Sequence, residues 1–311
     1  EAEPLFKKAY GISEKIQGPK HPTTLALLNN LAFLYESQGD FERSELNYDQ
    51  VINLFTEVYG KDHPNTIASI NNLAYLYLRD DKLDMAEPRF AMAYERWKEK
   101  LGARHQNTLK ALNNLGRVHK NLGNLEKSEN LLTLALESRT AVFGKRHADT
   151  LRSMNDMGEL LVAQEKREEA LKLFEETLEL ENEVLGENHP YTFETLNNLA
   201  QLKEDLGMLE EAFEIRKTGF ERRNIFFDRI LWVAGDNTRQ SYIRLHKPEQ
   251  DAYIRLLLKL DDERTALELF RLSLKRKGLL LKMTSETQQV VKLSGSPKLQ
   301  KLTGELTSVR K

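Results

Sequence analysis

The sequence predicts an all-α solenoid, a row of stacked helix pairs with a further helical segment after it. Three observations predict this. A His recurs at 21, 63, 105, 147 and 189, always 42 residues apart, with no residue inserted or deleted. A Gly stands three residues before each His and a Thr three after it, from Gly18 and Thr24 to Gly186 and Thr192. Within each interval the apolar residues twice take helical spacing. Self-similarity at a fixed period of about 20–50 residues marks an architecture in which each unit buries its apolar face only against its neighbours.

Each repeat reads as two helices. In the first repeat Leu25, Leu28, Leu31, Ala32 and Tyr35 share one helical face. Gln38-Gly39-Asp40 breaks that helix, as Gly123 and Gly207 do later. A second helix carries Phe41, Ser44, Tyr48, Val51, Ile52 and Phe55, and stops near Gly60, where glycine can take a left-handed closing conformation. Pro follows the His in three of the five repeats. Pro suits the first helical turn and pushes its predecessor to an extended backbone, so His-Pro reads as the joint that starts each first helix. Ala32, Ala74, Gly116, Gly158 and Ala200 in first helices, with Ala86, Ala170 and Ala212 in second helices, mark close crossings. Residues 2–10, AEPLFKKAY, align with 86–94, AEPRFAMAY, so the chain starts on a second helix. The signature stops near Phe220, and the residues beyond keep helical spacing up to a break at Ser294-Gly295-Ser296-Pro297.

With Leu31, Tyr35 and Tyr48, the small residues resemble the leucine, small, aromatic, small, aromatic pattern of the tetratricopeptide repeat (TPR). The resemblance covers residues 1 to about 220, although the usual period of that repeat is about 34. The longer form is similar to the repeats of kinesin light chains and of many bacterial proteins. It implies a right-handed TPR superhelical solenoid over 1–220, whose groove is lined by first helices, and a helical connector over 221–311. Arg239 with Tyr242, Ala252-Tyr253, and Arg276-Lys277-Gly278 followed by leucines resemble the connector of TPR-CHAT proteins. That resemblance implies a caspase-like CHAT peptidase with a His/Cys dyad after this segment. In one bacterial branch of the family it also implies an RNA-guided type III-E CRISPR effector as partner.

Composition narrows the remaining classes. Charged residues are 30% and hydrophobic ones 40%, as in globular proteins. A net charge of -2 gives no field directed at nucleic acid or membrane. The absence of Cys excludes disulfides, cysteine zinc sites and a cysteine nucleophile within these residues, and fits a cytoplasmic protein. No apolar run reaches the length of about 18 residues that a membrane span needs. No phosphate loop, dinucleotide fingerprint or HExxH helix occurs, and no cofactor is expected.

The repeated polar residues are the candidate sites. Metal ligands must converge on one ion, whereas these His are strung out one per repeat; they read as capping residues, with no metal and no catalytic residue expected. The paired Asn leave two readings open, because adjacent helical residues point about 100° apart. The first of each pair, Asn29, Asn71, Asn113, Asn155 and Asn197, is assigned to the groove, with bonding between repeats as the alternative; the kinesin-light-chain resemblance implies groove use. Tyr75, Lys110, Arg117 and Lys120 are assigned to the same face. With Arg152 they make its centre basic, and Glu159, Glu194, Glu204 and Asp205 make the following stretch acidic. A basic centre favours an acidic or carboxylate-bearing ligand; a solvated face is the alternative. Residues 271–311 hold ten Lys/Arg against two acidic residues. Arg271, Lys275, Arg276, Lys277 and Lys282 lie in this basic tail, which reads as a solvated or docked helix face, or else as a phosphate contact. No aromatics interleave these charges, which weakens a single-strand reading.

The segment is therefore expected to be non-enzymatic. It would recognise a protein or peptide in its groove and control a CHAT peptidase, with a CRISPR ribonucleoprotein as the partner the family resemblance implies. The alternative is a free-standing adaptor that binds a linear peptide.

Overall fold

The computed structural model describes residues 2–231, 247–260, 262, 264–269 and 271–272. All elements among them are helices. They are α1 (Ala2–Gln17), α2 (Pro22–Ser37), α3 (Phe41–Tyr59), α4 (Pro64–Arg79), α5 (Leu83–Leu101), α6 (Gln106–Asn121), α7 (Leu125–Phe143), α8 (Ala148–Ala163), α9 (Arg167–Val184), α10 (Pro190–Asp205), α11 (Leu209–Leu231) and α12 (Lys247–Leu260). The chain divides into two compact units, Glu1–Glu249 and Gln250–Lys311.

In the first unit α2 to α11 form five helix pairs, and α1 packs on α2 as a second helix would. Each first helix has 16 residues, and α3, α5 and α7 have 19. The longer period thus goes into longer helices rather than longer loops. The predicted core of the first repeat is the observed one. Leu25, Leu28, Leu31, Ala32, Tyr35, Ser44, Tyr48, Val51 and Phe55 are all buried. The close crossings are real contacts: a Cβ on Gly158 would stand 2.5 Å from the Phe174 ring.

The joints explain the G-x-x-H-x-x-T signature. Gly60 closes α3 at φ 89° and ψ 161°. This is not the ordinary left-handed cap expected from sequence but a more extended region that is essentially closed to residues with a Cβ. The chain then turns so that the His63 N–H meets the Gly60 carbonyl at 3.3 Å. His63 takes an extended backbone, and its Nδ1 accepts the N–H of Asn65 at 3.2 Å. Three residues on, the Thr66 hydroxyl donates back to the Gly60 carbonyl at 2.9 Å. His21, His105, His147 and His189 cap in the same way. An imidazole here replaces the usual Ser, Asp or Asn as acceptor for an orphan helix N–H.

The turn inside each pair ends the first helix with a bond from the residue two past the cap, as Asp40 N–H to Tyr35 O at 2.9 Å. The residue between must have positive φ. Gly39, Gly123 and Gly207 supply it at 73°, 77° and 78°, but Asp81 and Glu165 hold the same place at 58° and 64°.

In the second unit Ala252, Tyr253, Leu256 and Leu257 of α12 are buried. Asp262 Oδ1 accepts the Thr265 N–H (2.8 Å) while Thr265 Oγ1 accepts the Asp262 N–H (2.9 Å), a reciprocal helix start.

Candidate functional site

The first helices α2, α4, α6, α8 and α10 lie side by side, with the second helices behind them. Within this unit the first-helix layer curves toward its open face. The Arg152 guanidinium on α8 lies over the Tyr75 ring of α4, 5.9 Å from its centroid, although α6 stands between those helices. It also lies 5.4 Å from the Tyr191 ring of α10 and donates to the Tyr191 hydroxyl at 3.4 Å. Helices two repeats apart can share one side chain only on the inside of a bend.

Below this stack is a network of opposite charges. Arg117 Nε is 3.1 Å from Asp156 Oδ1, and Lys120 pairs with Glu159. Glu159 also accepts from Asn198 at 3.0 Å and from Asn155 at 3.4 Å. Burial works against the charge of Arg117, yet the Asp156 carboxylate holds its pKa above the ordinary value. Burial, with Asp156 adding to it, raises Glu194 above the usual carboxylate range, against the opposing pull of Arg117 and Arg152. The centre expected to be basic is therefore balanced from within, because Asp156, Glu159 and Glu194 approach the same cations. Lys110 is exposed, Tyr75 half-buried, and Phe33, which occupies the position of Tyr75 one repeat earlier, is 59% exposed.

Of the first Asn of each pair, assigned from sequence to the ligand-facing side with bonding between repeats as the alternative, three are buried and Asn29 and Asn197 are half-buried. Asn71, Asn113 and Asn155 are buried where consecutive first helices meet. Asn113 Oδ1 accepts from Ser153 at 2.7 Å and its Nδ2 donates to Asp156 Oδ2 at 2.6 Å. Asn155 Oδ1 accepts from Thr195 and Asn198, each at 3.1 Å. Asn29, half-buried, accepts from Ser69 at 3.2 Å, and Asn197 donates to Glu249 at 3.4 Å. For Asn113 and Asn155 the clasp thus joins a first Asn to a hydroxyl 40 residues on and a polar group 43 residues on, and Asn29 keeps the hydroxyl bond alone. Asn71 departs from it: position 111 is Ala, and both Asn71 Oδ1 and Asn114 Nδ2 are buried without a hydrogen-bond partner among the described residues. The hydroxyls at Ser69, Ser153 and Thr195, each 40 residues after an Asn, are the sequence signal that points to this clasp.

A second column, aromatic at first and charged in its last three members, escaped sequence reading. Phe55, Trp97, Arg139, Glu181 and Arg223 stand 42 apart on second helices, and all are buried. Arg139 donates to the Asp149 carbonyl (2.8 Å), Ser153 Oγ (2.7 Å) and the Leu109 carbonyl (3.4 Å). The substitution of charges for aromatics in an otherwise apolar column was the available cue.

Of the basic tail, Arg271 is exposed and 3.4 Å from Glu268. Lys275, Arg276, Lys277 and Lys282, with the Arg239 and Tyr242 pair, lie outside the described residues. Among the described residues no three of His, Cys, Asp and Glu gather in a way that could hold a metal ion, and no helix is long and apolar enough to cross a membrane.

Known proteins match this architecture. Human mitochondrial tetratricopeptide repeat protein 19 is 33% identical over 58 residues, 19% of this chain and 15% of that protein. The chain is similar in structure to a putative kinesin light chain of Podosopora anserina with nearly identical TPR-like repeats (TM-score 0.51, 21% identity, 65% of this chain and 96% of that one). It is similar to BtubC of P. vanneervenii (0.55, 20%, 72% and 89%). It is also similar to a Rap protein complexed with Competence and Sporulation Factor (0.58, 12%, 89% and 86%). At these identities the likeness is one of fold. The tetratricopeptide repeat family model matches residues 1–57, 28–99, 66–141, 107–180 and 155–223. This chain belongs to the tetratricopeptide repeat family.

Proposed function

We propose that the first unit recognises a segment of a partner protein on the curved first-helix face, as an extended peptide lying from Phe33 to Tyr191. The observation that carries this is the Tyr75–Arg152–Tyr191 stack beside exposed Phe33 and Lys110. Aromatic rings and an arginine on an inner curve provide apolar area, stacking and hydrogen-bond donors to one strand of peptide. Because Arg117 and Lys120 are already paired, an acidic ligand must displace Asp156 or Glu159 to reach them, and Lys110 offers it the more accessible cation. Similar folds support the reading: the Rap protein above was solved with Competence and Sporulation Factor, and NprR with its cognate peptide NprX.

The test is capture of partners by the intact chain, compared with Phe33→Ala, Lys110→Glu and Arg152→Ala. Loss on these variants, with retention on Lys145→Glu on a second-helix loop, supports the inner face. Equal capture by all four refutes it.

A finer reading makes the array the regulatory arm of a caspase-like peptidase, within a CRISPR defence complex. It rests on the connector resemblance at Ala252-Tyr253 and at residues outside the described ones. A coding sequence that continues past Lys311 into a caspase-like domain with a His and a Cys supports it, and a stop codon there overturns it.

A further inference from the structure

Glu181 has no measurable exposure, and among the described residues neither of its carboxylate oxygens has a hydrogen-bond partner of good geometry, Thr195 being the nearest donor to act on it. It sits near the end of α9, in the column it shares with Arg139. By the 42-residue correspondence, the three acceptors of Arg139 map onto the Tyr191 carbonyl, Thr195 Oγ and the Leu151 carbonyl. A guanidinium fits such a ring of oxygens. A carboxylate in the same place would meet them as like with like, whereas a neutral carboxylic acid has one O–H to donate. Thr195, the hydroxyl of that ring, already donates to Asn155.

The charges on the packed helices do not rescue an anion here. On α8, Arg152 is engaged with Tyr75 and Tyr191, Asp156 with Arg117, and Glu159 with Lys120. On α10, Lys203 is held by Glu175 (2.9 Å) and Glu211 (2.7 Å), and Glu194 adds negative charge. On α11, Arg223 is 3.2 Å from Glu249 and lies over Phe193.

We propose that Glu181 is a protonation-operated joint between the fourth and fifth repeats. As the neutral acid it seals the packing of α9 against α10, and as the carboxylate, its proton released to solvent, it loosens that packing. Burial pushes the Glu181 carboxyl up to about 7, against a hydrogen bond from Thr195 and with a smaller push from Glu194. An unfolded Glu titrates near about 4.3. The folded value is the higher one, so the contribution is complete below the unfolded value. It is lost as pH rises toward the folded value and is level above it. One differential proton changes an opening equilibrium about tenfold per pH unit.

The experiment is hydrogen exchange of α9 and α10 in the whole chain from pH 5 to 8.5, corrected for intrinsic exchange rates. The wild type should open more with rising pH, approaching tenfold per unit, and level off above about 7. Glu181→Gln should remove that slope, and Glu194→Gln should shift it to lower pH without abolishing it. Equal slopes in the wild type and Glu181→Gln overturn the proposal. A carbon-13 carboxyl titration of the folded wild type gives a second reading that does not depend on the stability of a variant. One Glu midpoint near 7, in the resonance absent from Glu181→Gln or Glu181→Leu, is expected; all Glu midpoints below 5 overturn it.

Discussion

Replacing Asn113 by Ala tests the clasp, because Asn71 provides a matched control in the same column. Asn113 is 1% exposed and loses two bonds on truncation, one to a carboxylate and one from a hydroxyl. A hydrogen bond to a charged group contributes about 1.5–3 kcal/mol and a neutral one about 1 kcal/mol, so the loss is about 3 kcal/mol. Asp156 keeps its pairing with Arg117, which stops the loss from growing further. Asn71 is 7% exposed and its Oδ1 has no partner among the described residues, so Asn71→Ala should cost under about 1 kcal/mol. Urea denaturation of both variants separates them: at a slope of about 3 kcal/mol per M, Asn113→Ala moves the midpoint down by about 1 M. Ala111→Ser supplies the missing hydroxyl and should raise stability by about 1 kcal/mol. Equal losses for the two Asn variants, or a harmless Asn113→Ala, would refute the clasp as the reason these residues recur.

Glu165→Gly and Asp81→Gly relieve a left-handed backbone that costs about 1–2 kcal/mol. Glycine returns part of this through unfolded-chain entropy, so each should stabilise by about 0.5–1 kcal/mol in denaturant titration. Burial depresses the His189 pKa, so its cap is present above the unfolded value of about 6.5 and is lost as pH falls through the folded value. His189→Asn, also a good N-cap, should match the wild type at pH 7.5 and lose less stability by pH 5 in thermal melts.

The repeat architecture was legible because it depends on residues that serve the backbone. Gly60, His63 and Thr66 make one joint through local bonds, and local bonds leave a fixed spacing in sequence. The buried face of α2 and α3 was legible for a similar reason, since helical periodicity alone selects Leu28 over its neighbours. The polar interior was harder to read. Asn113 and Arg117 are both polar residues on one helix, and nothing in their local sequence tells that both reach the same carboxylate on the next first helix. That meeting depends on Asp156, about one period away. The charge of the inner face is likewise hidden from local sequence: Arg117 and Lys120 look basic along the chain, but Asp156 and Glu159 reach them across it.

The missing hydroxyl at Ala111 has a consequence for how the array comes apart. In a linear stack each repeat feels only its neighbours, so cooperativity passes along the row through the interfaces one at a time. The seam between α4 and α6 lacks the polar link that ties α2 to α4, α6 to α8 and α8 to α10. That joint holds mainly by the apolar packing of Ile67, Ala93, Trp97 and Ala111, so its share of the cooperativity should weaken on cooling more than that of the clasped joints.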